Sequence, residues 1–407
     1  IAGRFRTLGF PEAIVAAIRP GMDVAAFDAA VRKHLGLPEA TGALDPDGWI
    51  DRARAAAVAR GFDRSALDRV LEPLRSKPST AVPGPGVPTV EGWTRERVLA
   101  HHAAGGAFED EDLSGLDLSA LDLSGGRFAK AILAGASLAG SLLAGADLAK
   151  ADLSGVDASG TDLSGARLAG ADLSRSRLGQ ARLSGADAVA AVFRAAVATD
   201  ADFRRAKLDR ADLSEAVLDG AAFHDAAMKD CDLSGASLSG TDFRRAMLAS
   251  ALLERARGER TVFVEADLTR LKAGRAVDLS GAVLVHASGA GATFIGAKLA
   301  GADLRYADFP GADFSNAHLA GARAHAVDLS RAALIGADLR AADLTVANLL
   351  KANLMGAILA GADLEGANAF AAEVWEAHLL DTRIAGADVG RTKLDHPAFD
   401  FPGAVRE

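Results

Sequence analysis

A mainly β, four-sided coil with a small α-helical region ahead of it is the fold class that three observations predict. The first is a period of five. A small residue, Asp, a large apolar residue and two turn-forming residues recur from Phe108 to Phe399, as in Ala151-Asp152-Leu153-Ser154-Gly155 and Ala302-Asp303-Leu304-Arg305-Tyr306. The second is the alternation inside each unit. The large residue, the centre, and the small residue two before it share one face of a short extended piece and point inward. The third is a period of 20. Phe203, Phe223, Phe243 and Phe263 all occupy centres, as do the pairs Phe108/Phe128 and Phe294/Phe314. Four units per coil would stack these rings. A period of five suits neither a helix nor a flat strand, and internal repeats of this kind announce a solenoid.

In chain order, residues 1–75 read as a helical module. Pro11–Ile18, Asp23–Leu35, Asp45–Arg60 and Ser65–Leu74 show apolar spacings of three and four or helix-start signals. Residues 76–92 form a linker holding Pro78, Pro83, Pro85 and Pro88, which deny the backbone a regular ladder. Residues 93–107 read as a capping helix, with Thr94 as N-cap, Gly105-Gly106 as the stop, and Trp93 and Val98 facing the first coil. A solenoid's first coil otherwise exposes apolar edges and unpaired backbone groups.

The repeat occupies 108–399, about 33 units before a slip of one residue at 269–278 and about 25 after it. A slip inside a face would turn the apolar side outward, so a bulge is expected within Thr269–Val277. Ala158, Ala188 and Ala198 are small centres, and Gly258 and Gly289 remove the centre. Residues 400–407 are a tail. The chain begins at Ile1 without a charged-then-apolar leader, which points to a piece of a longer protein.

The chain has 407 residues and a net charge of −9. Basic and acidic residues number 4 and 11 over 108–174, but 17 and 15 over 175–275. The middle of the coil is therefore Arg-rich. No apolar run is long enough for a membrane span. One cysteine, Cys231, excludes an internal disulfide framework and takes the small inward slot, which is compatible with a reducing, cytoplasmic setting. The nine histidines form no spaced ligand set, and Ser288-Gly289-Ala290-Gly291-Ala292 lacks the lysine of a phosphate loop. No catalytic residue, metal or cofactor is assigned, and no direct nucleic-acid binding is expected.

Two outward features remain. Ile295, Ile335, Met355 and Trp375 follow the centre on one side at multiples of 20, with Leu350 and Phe370 on the neighbouring side. Exposed apolar stripes mark interfaces, with a protein partner or with a second copy as a homodimer; cover by the tail is the local alternative. Asp112, Asp152, Asp172, Asp212 and Asp232 form an acidic ladder, broken by Ile132, Val192 and Leu252. A second ladder, Arg127, Asp147, Arg167, Asp187 and Lys207, alternates in sign and reads as mutual pairing.

The repeats resemble those of pentapeptide-repeat proteins, whose motif is a small residue, Asp or Asn, Leu or Phe, then two variable positions. The resemblance implies a right-handed quadrilateral β-helix and, for some members, DNA mimicry directed at type II topoisomerases such as gyrase, with the acidic ladder as the mimic. The segment Trp93-Thr94-Arg95-Glu96-Arg97-Val98-Leu99-Ala100-His101-His102-Ala103-Ala104-Gly105-Gly106, leading into the repeats, is similar to the C-terminal part of bacterial type VI secretion accessory proteins. That similarity implies a cytoplasmic, non-enzymatic scaffold that serves as adaptor or chaperone for a secreted effector.

Overall fold

The computed structural model describes residues 92–274 and 276–392, all within the unit Gly92–Glu407. The helical module at 1–75, the linker up to residue 91, the last repeat residues and the tail lie outside the described residues. The one helix among them, α1, spans Arg95–Ala103. Thr94 caps it by accepting from the Arg97 N–H at 3.3 Å. Val98 is buried, and the Trp93 ring packs edge-on against Phe108 with centroids 5.2 Å apart. Arg95 Nη1 and Nη2 donate to the carbonyls of Asp117 and Ser119 at 3.0 and 2.6 Å, groups on the coil's first edge. The helix thus covers both the apolar and the polar parts of that edge.

From Ala107 onward each five-residue unit makes one parallel bridge, residue i to i+20, with two turn residues before the next. Four units close one coil. The rings of Phe203, Phe223, Phe243 and Phe263 lie over one another, with centroids 4.7, 5.0 and 5.2 Å apart. The pairs Phe108/Phe128 and Phe294/Phe314 stack at 4.6 and 4.9 Å. The β structure of the coil is made of bridges. No strand of consecutive ladder residues forms among the described residues; the bridges are isolated. A corner follows each bridge too soon for a ladder to grow.

The motif's composition follows from where its five N–H groups go. In the unit 151–155, the Asp152 N–H donates to Ala131 O at 2.9 Å, and those of Leu153 and Gly155 donate to Asp172 O and Ser174 O at 2.7 and 2.8 Å. Val156 N–H closes the turn onto Leu153 O at 3.2 Å. Only the Ser154 N–H lacks a backbone partner, and Asp152 Oδ1 accepts it at 3.0 Å. The aspartate before each centre is a turn-holding group. The last residue of each corner has φ near +60°, glycine or not, as at Gly155 and Arg255.

The extra residue sits in a corner. Bridges change from 20 to 21 residues at Arg257↔Asp278 and return to 20 at Asp278↔Lys298. Ala273 serves as a buried centre, so the insertion falls between it and Val277, within the expected window. Leu271, Ala273, Val277 and Leu279 all stay buried, because a longer corner leaves the inward–outward alternation intact. The missing centres are filled by neighbours: Phe309's ring occupies the space of a Gly289 Cβ, and Leu238 and Leu279 flank Gly258.

Candidate functional site

The coil's interior is close-packed, so anything it does falls to its faces and corners. Ile295, Ile335, Met355 and Trp375 do share one corner, with Ser315 between the first two. Hydrogen bonds run up this corner from Asn316 N to Ile335 O, Gly336 N to Met355 O and Gly356 N to Trp375 O, at 2.8, 2.9 and 2.8 Å. Ile295 and Ile335 are half-buried, whereas Met355 and Trp375 are 40% and 47% exposed. Trp375 Nε1 donates to Glu376 Oε1 at 3.1 Å. Leu350 and Phe370 lie on the preceding corner, both half-buried. The Arg391 guanidinium covers Phe370 at 5.6 Å.

Asp112, Asp152, Asp172, Asp212 and Asp232 stand on one face, in register with Ile132, Val192 and Leu252. Their carboxylates are engaged. Asp152, Asp172, Asp212 and Asp232 each accept the N–H two residues on, at 2.8–3.0 Å. Asp212 also receives Arg194 Nη2 at 2.6 Å. Burial pushes Asp212 up, but hydrogen bonds from Ser214 and Arg194 hold it below the ordinary carboxylate range. The alternating ladder pairs as Arg167–Asp147 and Lys207–Asp187, at 3.1 and 3.9 Å, while Arg127 turns to Glu109 at 3.5 Å.

One feature escaped the sequence reading. A shallow groove of ≈ 550 Å³ opens on another corner, among Arg204, Arg205, His224, Asp225, Arg244 and Arg245. The doublets Arg204-Arg205 and Arg244-Arg245, with His224-Asp225 midway, recur at spacings of 20. The signal lies in the sequence: Arg204, His224 and Arg244 each follow a phenylalanine centre, 20 residues apart, with Arg205, Asp225 and Arg245 next to them.

The pattern of the family described as pentapeptide repeats (8 copies) matches nine stretches that together span 112–270 and 275–368. The chain belongs to the pentapeptide repeat family. Members of the family fold as right-handed quadrilateral β-helices and are in general non-catalytic interaction proteins. Similar solved structures include HetL of Nostoc sp. strain PCC 7120, a pentapeptide repeat protein involved in heterocyst differentiation regulation. It is 28% identical over 72% of this chain and 97% of its own, with a TM-score of 0.23. QnrB1, a plasmid-mediated fluoroquinolone resistance protein, is 22% identical over 49% of this chain and 88% of its own, with a TM-score of 0.30. A pentapeptide repeat protein of the Arabidopsis thaliana thylakoid lumen is 27% identical over 26% and 72%, with a TM-score of 0.21. No curated protein matches the chain.

Among the described residues of this pentapeptide repeat protein, no group of His, Cys, Asp and Glu is arranged to hold a metal ion. No helix among them is long and apolar enough to cross a membrane. Cys231 is fully buried, and burial raises its thiol far above the ordinary range, which leaves it inert. Asp308 departs from its neighbours. The residue two on is Pro310, which has no N–H to donate, so burial and the nearby Asp328 push Asp308 up.

Proposed function

We propose that this protein is a non-enzymatic interaction scaffold whose C-terminal corner engages a protein partner. The exposed pair Met355 and Trp375, one coil apart on a corner otherwise bearing half-buried or polar side chains, carries the reading. Large apolar side chains stacked at the surface gain by being covered, and Trp is an anchor type at interfaces. The finer reading is an adaptor that holds a secreted effector in the cytoplasm for type VI secretion, supported by the likeness of segment 93–106. The double variant Met355→Asp/Trp375→Asp tests the corner. Loss of the co-purifying partner, or of self-association in sedimentation velocity, is the expected result; undiminished capture and unchanged mass count against it.

DNA mimicry at a type II topoisomerase is the rival reading. The three apolar interruptions and the engagement of the aspartates in their own turns support it less well. A supercoiling assay with gyrase separates the two: inhibition or protection by the protein would favour the rival.

A further inference from the structure

We propose that the corner carrying Arg204, Arg205, His224, Arg244 and Arg245 is a binding site for an extended protein segment with acidic side chains followed by an aromatic one. The site lies two corners away from Met355 and Trp375, and it does not depend on the reading of that stripe.

The corner is built over three successive coils. One column holds Arg204, His224 and Arg244; the adjoining column holds Arg205, Asp225 and Arg245. The coil below carries Ser184-Gly185 in the same places. Arg205, Asp225 and Arg245 have φ of 58°, 58° and 54°, a conformation that disfavours any residue with a Cβ by about 1–2 kcal/mol. Three charged side chains are thus kept where glycine would fit with less strain. The same conformation recurs at other corners, as at Arg210 and Arg255, so it is the juxtaposition of the four arginines that marks this one.

Three of the four arginines are also fixed in position. Asp202 receives Arg204 Nε and Nη2 at 2.8 and 2.7 Å. Asp242 receives Arg244 Nη2 at 2.5 Å and His224 Nε2 at 2.6 Å. Asp225 receives Arg245 Nε and Nη2 at 2.8 and 3.0 Å. Each of these guanidinium groups is clamped along its Nε–Nη2 edge, which turns Nη1 outward; their side chains are 57%, 49% and 55% exposed. The Arg205 side chain makes no hydrogen bond or ion pair with a described residue, although its charge helps to hold Asp225 below the ordinary carboxylate range. Preorganised guanidinium forks that still have donors to offer suit incoming carboxylates.

Spacing selects an extended occupant. Coils rise by about 4.8 Å, so Arg204 and Arg244 are roughly 10 Å apart, about three residues of extended chain. Higher on the same corner, Tyr306 stacks on His286 with centroids 5.2 Å apart and meets His325 edge-on at 5.5 Å. Tyr306 is 49% exposed. From Arg204 to Tyr306 is five coils, roughly 24 Å, the span of about seven extended residues. A continuous polyanion fits less well, because Asp202, Asp225 and Asp242 sit among the arginines and the chain's net charge is −9.

Fluorescence anisotropy of labelled hexaglutamate, titrated with the whole chain, tests the site. Saturable binding that weakens with salt is expected. Arg205→Ala should weaken it about tenfold, the scale of one charge-assisted hydrogen bond, with partial rescue by Arg205→Lys. Because the Arg205 side chain makes no hydrogen bond to a described residue and acts on Asp225 only through its charge, its replacement should leave the fold intact, which circular dichroism melting checks. Hexaglutamate extended by two tryptophans should bind more tightly, with the gain removed by Tyr306→Ala. Met355→Asp/Trp375→Asp should leave hexaglutamate binding unchanged. The proposal is overturned if hexaglutamate does not saturate, if Arg205→Ala has no effect, or if oligothymidylate binds more tightly than the peptides.

Discussion

The stretches 115–170 and 175–270 have the same backbone and different corners. In the first, most corners end in glycine; in the second, only Gly185, Gly220, Gly235 and Gly240 do, and Arg, Asp, Glu, Ala, Ser or Gln take the other places. All of them hold φ near +60°. The inward residues are alike in the two stretches: chiefly Ala, Leu and Phe with an occasional Ser or Thr, buried almost completely. The difference teaches that the core fixes the coil and the corners are left to vary. A corner residue with a Cβ costs stability, and it also places a side chain on the outermost edge. The first stretch favours stability, whereas the second bears the charged surface.

The largest expected effect probes what the stretches share. Phe243→Ala removes a ring from the middle of its column and should cost about 3–5 kcal/mol, read by chemical denaturation. Leu153→Ala in the glycine-cornered stretch should cost about 2–5 kcal/mol. A much smaller loss at Phe243 would show that the ring column does not hold the charged stretch together.

Exchanging corners comes next. Gly155 and Arg255 occupy the same corner five coils apart, and nothing lies within 4 Å of a Cβ placed at Gly155. Gly155→Arg should destabilise, and Arg255→Gly should stabilise, each by about 1 kcal/mol. Equal melting temperatures for both variants and the parent would remove corner strain from the account.

Asp308→Asn should stabilise slightly at neutral pH, since it removes a largely exposed carboxylate that partial desolvation and Asp328 disfavour. A raised folded pKa means the penalty applies above that pKa and is relieved as pH falls through it. The gain should therefore shrink in acid. A gain that grows in acid would contradict the assignment.

The smallest effect separates two ways of holding an aspartate. Asp157 is held low chiefly by the Ser159 hydroxyl, and Asp202 chiefly by the Arg204 guanidinium. Both folded pKa values are depressed. Their contribution is complete above about pH 4, the unfolded value, and fades as pH falls through the folded one. Carbon-detected NMR titrations should show added salt raising the pKa of Asp202 more than that of Asp157, because the Arg204 pair at 2.7 Å is the chief support of the first and is screened, whereas Asp157 rests chiefly on a hydroxyl and only secondarily on Arg177 at 3.5 Å. Equal responses would mean that the two are held in the same way.

Much of the architecture was legible because the centres repeat without ambiguity: Phe203 to Phe263 announced a 20-residue coil, and the rings stack accordingly. The slip was legible as a count, but its location was not. Ala273 looks like any other alanine, and only its burial identifies it as a centre. The stripe from Ile295 to Trp375 could be phased onto one corner, yet exposure rises only toward Met355 and Trp375. The arginine groove was missed because Arg204, His224 and Arg244 hold the position after the centre that Ile295 and Met355 hold, where charged side chains are the ordinary content of a solvated face.

By itself the sequence determined the period, the inward residues and the four-sided closure, since burying one apolar face at a fixed spacing leaves few other solutions. The tertiary structure alone decided which charges meet. Arg127 reaches Glu109 and leaves Asp147 to Arg167, while Arg244 and His224 share Asp242. Residues 18 and 20 positions apart are both neighbours across coils, and the choice between them rests on side-chain rotamers and competing donors, which no one-dimensional spacing contains.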